Sequence, residues 1–311
     1  MQQQFTHTQL DVLATCEPFL ASQDIAATSL ITYKHVLTQF ALWCKDKKIT
    51  TPTRMTILEY KAFLESRRLS AFTKSLYIVL VRRFFSWTHE NNMYPDVAHG
   101  IKTARTKQKS HHKDSLSIAD IKTLLAHIDQ GTLQGLRDYA LINMLVRTGL
   151  RIKEVASCEF SDIESHHGSY RLWIQGKGRH GKDEFVILTQ ATLAPLQAYI
   201  AARNLKQNAR APLFASVSDK NFGKKLTTFS ISRLIRQYYQ KAGIKTKRVT
   251  AHSLRHTFGV LSMQAGASLH EVQLAMRHTA PSTTQIYLGD IERIKRLEGA
   301  PEHKLSQLLD T

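Results

Sequence analysis

The sequence predicts a mainly α-helical protein with a small antiparallel β-sheet, divided into two domains. Three observations lead to this expectation. The length of 311 residues exceeds what one hydrophobic core usually organises. Apolar residues recur at helical spacing over most of the chain, whereas residues 170–188 alternate in the manner of a strand pair. A highly charged stretch without apolar periodicity, residues 102–114, forms a linker between the two parts.

The N-terminal domain, residues 1–101, is predicted to contain consecutive helices over residues 28–90. In the first helix, apolar residues lie three and four positions apart: Leu30, Tyr33, Val36, Leu37, Phe40 and Trp43. Thr53 is a candidate N-cap of a second helix, because its hydroxyl can accept a backbone N–H of the first turn. A third helix is predicted to begin at about Ser70 and to end near Asn91.

The second domain, residues 115–311, is predicted to be mostly helical. Helical patterns cover residues 117–129, 133–149, 191–206, 228–242, 252–265, 268–277 and 282–297, and another helix starts at residue 151. Tyr170, Leu172 and Ile174 alternate with their neighbours as a β-strand does, and residues 185–188 form a second β run. Because the intervening segment is rich in glycine and charge, it is predicted to be a hairpin loop.

Charge is the clearest compositional signal. The chain carries 43 Lys and Arg against 25 Asp and Glu, which gives a formal net charge of +18 and a pI of about 9.9. So large a positive excess favours a polyanionic partner, and nucleic acid is the first expectation. The plainer alternative is a basic protein whose charge only keeps it soluble.

Two basic regions are candidates to contact nucleic acid. The third predicted helix exposes Lys74, Arg82 and Arg83, which suit either a DNA-binding face or an ordinary solvated surface. The linker contains Lys107 and Lys109, and so basic a segment is expected to lie along a phosphate backbone.

Cysteine usage and hydropathy disfavour several classes of protein. Cys16, Cys44 and Cys158 are too isolated for a disulfide framework or a metal knuckle, and the last two are expected in the core. No apolar run approaches the roughly 20 residues of a membrane span, and the N-terminus lacks the pattern of a signal peptide. We therefore expect a cytoplasmic protein.

Five side chains far apart in the sequence supply the groups needed to bind and attack one phosphodiester: Arg151, His252, Arg255, His278 and Tyr287. Two guanidiniums can donate paired hydrogen bonds to the non-bridging oxygens, where charge accumulates in the transition state. A tyrosine can form a covalent phosphoryl link if positive neighbours or a proton acceptor offset its pKa of about 10.

Histidine and lysine are the candidates for proton transfer. His252 lies three residues before Arg255, so a helix places both on one face, and histidine accepts protons near neutral pH. The leaving 5′ oxygen needs a proton, for which Lys177 in the hairpin is the candidate and Lys182 the competitor. Each feature alone is compatible with packing or a simple turn; their order and spacing together are more specific.

These segments resemble the motifs of the tyrosine recombinases, the phage integrase family. The similar stretches are residues 147–154 (RTGLRIKE), 176–178 (GKG), 252–258 (HSLRHTF), His278 and 282–287 (STTQIY). The resemblance spans about residues 20–297, and the spacing is similar to the Xer-like and simple integrase branch. Two departures are a hairpin about two residues longer than the commonest form and Arg277, where the family often has glycine. Arg277 is expected to add a DNA contact outside the chemistry.

The resemblance implies how the phosphate would be bound. Arg151 and Arg255 would bind the scissile phosphate, and Glu154 would support them by orienting the arginine. His278 would donate a hydrogen bond to the same phosphate. No metal and no other cofactor would be required.

The resemblance also implies the covalent chemistry. Tyr287 would form a 3′-phosphotyrosyl bond to DNA, Lys177 would be the general acid for the 5′ hydroxyl, and His252 would assist proton transfer. Strand exchange would pass through a Holliday junction, for integration or excision of a mobile element or for dimer resolution.

The implied architecture is a C-shaped clamp around a DNA duplex. An N-terminal helical core-binding domain of the SAM-like type would form one half, and the catalytic domain would form the other. Four subunits would hold two specific recombination sites, with or without accessory proteins. The tail, residues 301–309, has apolar residues at helical spacing and is expected to dock into a neighbouring subunit rather than onto its own domain.

Three alternative functions are weighed against this one. A metal-dependent nuclease would use His252, His256 and His278 as ligands, but Glu271 is the only acid nearby in the sequence. A non-enzymatic DNA-binding protein is disfavoured because every expected catalytic group is present. A DNA-relaxing topoisomerase of similar chemistry is the closest enzymatic alternative, and it would act without a specific site or a tetramer.

Overall fold

The structure is a computed structural model, which describes residues 5–6, 9–103, 115–176, 181–204, 210–244, 249–278, 281–298 and 300–309. The chain divides into two compact units, Met1–Lys109 and Ser110–Thr311. Most of the predicted linker, including Lys107 and Lys109, lies outside the described residues. The prediction of a mainly helical chain with a small antiparallel sheet is confirmed.

The described part of the N-terminal unit consists of α1 Val12–Ala21, α2 Ala27–Asp46, α3 Arg54–Ser66 and α4 Ala71–Glu90. Thr53 caps α3 and Ser70 caps α4, and each hydroxyl accepts the backbone N–H three residues further on. The predicted start of each helix is therefore confirmed. The sequence pattern gave no prediction for α1, which Asp11 caps.

Aromatic side chains fill the core of this unit. Phe40 is fully buried, and its ring centroid lies 4.8 Å from that of Tyr60 and 6.0 Å from that of Phe85. Phe19 of α1 packs edge-on against Phe84 at 5.6 Å. Edge-to-face pairs of this kind add to the free energy gained from burying the rings, so α1 is part of the bundle rather than an appendage.

The described helices of the C-terminal unit are α5 Ile118–Ala126, α6 Leu133–Thr148, α7 Ile152–Ser157, α8 Gln190–Ala202, α9 Thr228–Lys241, α10 Ala251–Gln264, α11 Leu269–Met276, α12 Pro281–Glu298 and α13 Pro301–Leu309. The described strands are β1 Ile163–His166, β2 Ser169–Ile174 and β3 Glu184–Leu188. They pair antiparallel in the order β1-β2-β3, with Leu172 opposite both Ile163 and Val186. β2 and β3 were predicted, whereas β1 was not.

The core of the C-terminal unit surrounds α6. Ala140, Leu141, Ile142 and Met144 are each 0% exposed, although near-consecutive residues point in different directions around a helix. A helix that is apolar on most of its circumference belongs at the centre of a domain. Cys44 and Cys158 are both buried, as predicted. None of the described helices is long and apolar enough to cross a lipid bilayer.

Candidate active site

The end of α6 turns the chain towards the first candidate catalytic residue. Gly149 takes a left-handed conformation with φ 62°, which a residue with a side chain adopts only at a cost. A Cβ atom at this position would also lie 2.5 Å from the ring of Phe258 in α10. Glycine is therefore required twice over, and the turn places Arg151 at the N-cap of α7.

Arg151 is held by Glu154, one turn further along. Its Nη1 lies 2.6 Å from Glu154 Oε1, and its backbone N–H donates to Oε2 at 2.8 Å. The Glu154 side chain is 4% exposed, whereas that of Arg151 is 28% exposed. The carboxylate thus holds both the backbone N–H and one edge of the guanidinium of Arg151, and part of the side chain remains open to solvent.

Arg255 is buried in α10, at 3% exposure. Its Nη1 donates to the carbonyl oxygen of Gly149 at 2.5 Å, and its Nη2 binds the carbonyl of Met276. Among the described residues no carboxylate lies within ion-pair distance of it. Burial, followed by the charge of Arg151, lowers the pKa of Arg255 to about 10, so it stays cationic at neutral pH. A buried cation held only by carbonyls is well suited to receive an anion.

His278 and Tyr287 lie beside these arginines. His278 Nδ1 is 2.8 Å from the hydroxyl of Thr284, which is fully buried in α12. Burial, followed by the charges of Arg255 and Arg151, lowers the pKa of His278 to about 4. The imidazole is therefore neutral near pH 7 and can donate one hydrogen bond without adding a charge.

Tyr287 is 4% exposed and lies among histidine rings and a helix backbone. Its ring centroid is 5.0 Å from that of His256 and 6.2 Å from that of His278. A Cβ atom added to Gly259 of α10 would lie 2.7 Å from the Tyr287 ring. The glycine therefore allows the tyrosine to lie directly against α10.

His252 and His256 occupy different environments in α10. His252 is exposed in the first turn, near enough to His278 to lower its pKa, although less than the arginines do. His256 is 1% exposed and packs on Tyr287. Across the part of the chain that the structure describes, no three His, Cys, Asp or Glu side chains come together as a metal site. The geometry of the histidines thus gives the metal-dependent nuclease no support.

The segment between β2 and β3 contains both lysine candidates, and the structure describes only Lys182. Lys177 lies outside the described residues, so its role stays a prediction. Lys182 Nζ binds both carboxylate oxygens of Asp162, at 2.8 and 2.7 Å, and lies 3.7 Å from Glu159. Burial is the largest single effect on the pKa of Lys182 and lowers it, but the hydrogen bond to Asp162 and the charges of Asp162 and Glu159 together raise it by more, so the net shift is upward. A lysine held in this way is a poor proton donor to a distant oxygen.

Arg277 lies inside the cluster, and whether it takes part in the chemistry is not decided by its position. Its side chain is 8% exposed, its Nη2 lies 3.0 Å from Glu154 Oε2, and its Nε lies 3.6 Å from Glu184 Oε2. The carboxylate that binds Arg151 therefore also binds Arg277. A DNA contact by Arg277 stays a prediction.

The remaining candidates for DNA contact belong to the N-terminal unit. Arg82 and Arg83 are exposed, and Arg83 donates a hydrogen bond to the Tyr33 hydroxyl at 3.0 Å. Lys74 is half-buried and donates to the backbone carbonyl of Glu65 at 2.8 Å. All three stay candidates for DNA contact, although Arg83 and Lys74 each already donate one hydrogen bond within the unit.

Sequence reasoning missed two of these contacts. Thr284, which lies in the same helix as Tyr287, was not singled out, although it determines how His278 is held. The link between Arg277 and Glu154 joins residues 123 positions apart. A local signal did exist for Arg151, since a glutamate three residues after a helix N-cap is the pattern of a capping box.

The fold and the site, with a buried tyrosine near two arginines, are those of an enzyme that breaks and rejoins DNA. The sequence pattern of the phage integrase family matches residues 114–292. The chain belongs to this family, the tyrosine recombinases.

Similar proteins of known name span nearly the whole chain. Tyrosine recombinase XerD of Listeria monocytogenes serotype 4b is 29% identical over 86% of this chain and 90% of its own length. Tyrosine recombinase XerD of Vibrio cholerae is 26% identical over 88% and 89%. The solved structure of XerH site-specific recombinase, bound to a palindromic difH substrate, is 21% identical with a TM-score of 0.72 over 93% of this chain and 85% of that one. This likeness shows the shared fold.

Replacement of Gly259 by alanine is expected to displace the tyrosine. The new methyl group would overlap the Tyr287 ring, so the phenol moves and covalent attachment to DNA slows by about 100-fold. The measurement is the single-turnover rate of adduct formation on a nicked recombination site, with circular dichroism to confirm folding.

Gly289→Ala is the matched control, because nothing lies within 4 Å of a Cβ at that helical position. It should react at the wild-type rate. A Gly259→Ala variant that reacts as fast as Gly289→Ala would show that the close approach of α10 does not position the nucleophile.

Proposed function

We propose that this protein is a site-specific DNA recombinase that uses Tyr287 as its nucleophile. The phenol oxygen attacks a DNA phosphate, a P–O bond to Tyr287 forms, and the bond to the 5′ oxygen breaks. The phenol loses its proton to a base, and the leaving oxygen gains one. The observation that carries the proposal is the position of the Tyr287 ring beside His278, within the site of Arg151 and Arg255.

Rejoining reverses these steps. The 5′ hydroxyl of a partner duplex attacks the 3′-phosphotyrosyl bond, and the tyrosine leaves with a proton. Two such exchanges make and resolve a Holliday junction. Because the energy of the phosphodiester is kept in the covalent link, no nucleotide cofactor is consumed. The reaction serves either integration and excision of a mobile element or dimer resolution.

Arginine electrostatics take the part that Mg²⁺ plays in many other phosphoryl transfers. Arg151 and Arg255 bind the non-bridging oxygens as charge grows there. His278 adds a neutral hydrogen bond, because its pKa lies far below 7. His252, at the exposed start of α10, accepts the proton of the phenol.

Similar proteins support a DNA substrate with a defined sequence. XerH is described as a site-specific recombinase bound to its difH substrate, and the Tn1549 transposon integrase was solved with circular intermediate DNA. In this proposal, residues 1–101, the basic linker and residues 115–311 all contact the DNA. Accessory proteins are compatible with this scheme.

Tyr287→Phe tests the proposed function directly. The variant keeps the ring and its packing, so it should bind the recombination site with wild-type affinity and form no covalent adduct. The measurement is a gel shift for binding and a denaturing gel for the adduct. A covalent adduct formed by the variant would exclude Tyr287 as the nucleophile.

A change of leaving group in the DNA shows which of the two lysines, Lys177 or Lys182, is the general acid. We expect the Lys177→Ala variant to cleave normal DNA slowly. Its cleavage rate should recover on DNA with sulfur in place of the bridging 5′ oxygen. A thiolate leaves without a proton, so such a substrate no longer needs the general acid.

Lys182→Ala is the control for a structural effect, since it loses the bond to Asp162. Its defect should persist on the sulfur substrate. If sulfur rescues Lys182→Ala and leaves Lys177→Ala slow, the roles of the two lysines are exchanged.

The C-terminal helix α13 is proposed to dock into a neighbouring subunit of a tetramer that holds two DNA sites. Its leucines are exposed: Leu305 by 56%, Leu308 by 74% and Leu309 by 73%. These three leucines give a nine-residue helix a large apolar surface. Burial of that surface against another subunit would stabilise the interface.

Removal of residues 299–311 is expected to abolish assembly of two DNA sites into one complex, while binding to a single site persists. Native gels with one and with two labelled sites measure both properties. Wild-type recombination by the truncated protein would show that the tail does not join subunits.

A further inference from the structure

Arg277 occupies a backbone position that disfavours an arginine. It ends α11 in the left-handed conformation, with φ 54° and ψ 49°. Glycine takes this conformation without a steric penalty, whereas a residue with a Cβ atom does not. The side chain at this position must therefore offset a backbone cost that glycine would avoid.

The side chain is directed inward, to the carboxylate that supports Arg151. Arg277 Nη2 lies 3.0 Å from one oxygen of Glu154, and Arg151 Nη1 lies 2.6 Å from the other. Arg277 Nη1 also donates to the carbonyl of Ala275 at 2.6 Å. The side chains of Arg277 and Glu154 are 8% and 4% exposed. Glu154 is thus shared between two guanidiniums in a region with little water.

Because two arginines share Glu154, the net charge near a bound phosphate is more positive than it would be with Arg151 and Glu154 alone. Without Arg277, Glu154 would keep only its ion pair with Arg151 among the described residues, and its negative charge would weaken the attraction of Arg151 for the phosphate. With Arg277 in place, a second cation offsets the same carboxylate, and Arg255 is held by two backbone carbonyls. At low dielectric, one such charge has a large effect on a developing oxyanion.

We infer that Arg277 is a positioning residue for strand cleavage: it holds and neutralises Glu154, so that the charge of Arg151 is directed at the scissile phosphate. The inference rests on the proposed function, because it requires a phosphate at Arg151. It differs from a DNA-backbone contact, because Arg277 acts through Glu154 and need not touch DNA.

The test compares Arg277→Gly, Arg277→Lys and the control Lys48→Gly. Lys48 has φ 55° and is exposed in the N-terminal unit, so its replacement removes a similar backbone cost and one positive charge far along the chain from the site. Each variant is measured for DNA affinity, for melting temperature and for the single-turnover rate of adduct formation at saturating protein.

We expect the Arg277→Gly variant to bind DNA with an affinity within about twofold of wild type. It should form the adduct about tenfold more slowly, because the charge of Arg151 is then less well directed at the phosphate in the transition state. Arg277→Lys should recover part of the rate, because the ammonium keeps a charge beside Glu154. Lys48→Gly should cleave at the wild-type rate.

Two results would overturn the inference. One is a wild-type rate for Arg277→Gly. The other is a slow rate that returns to normal on cooling, together with a lowered melting temperature, since that combination means a purely structural role. Failure of the proposed function looks different: the wild-type protein then forms no adduct, or Tyr287→Phe still forms one, whatever residue stands at position 277.

Discussion

The C-terminal unit depends on one electrostatic constraint: three arginines, Arg151, Arg255 and Arg277, lie close together and are largely shielded from water. Arg255 is 3% exposed, and its pKa falls to about 10 because burial and Arg151 both oppose its charge. The protein offsets this cost with backbone carbonyls for Arg255 and with the Glu154 carboxylate for Arg151 and Arg277. In the proposed function, a bound phosphate would add the negative charge that compensates these cations further.

The folding of the core serves this arrangement. The turn at Gly149 supplies both the start of α7 and the carbonyl that binds Arg255. Glycine at position 259 lets the Tyr287 ring lie against α10, the helix that also carries Arg255. Tyr287, the proposed nucleophile, and Arg255, a proposed phosphate ligand, are therefore positioned by one helix, and a shift of that helix would move both together.

Local features of the fold could be predicted from the sequence, and distant contacts could not. The caps at Thr53 and Ser70 follow from side-chain chemistry within one turn. The strand β1 was missed because it has four residues, three of them exposed, so it lacks a pattern of burial. The link from Arg277 to Glu154 was missed because it joins residues 123 positions apart, which no local pattern encodes.

The central claim is that Tyr287 becomes covalently joined to DNA by metal-independent chemistry. The most direct measurement is mass spectrometry of the wild-type protein after reaction with a nicked recombination site in EDTA, followed by nuclease and protease digestion. The account predicts a peptide in which Tyr287 carries a nucleotide through its 3′ phosphate. A nucleotide attached to any other residue, or an adduct that forms only when a divalent metal is added, would contradict it.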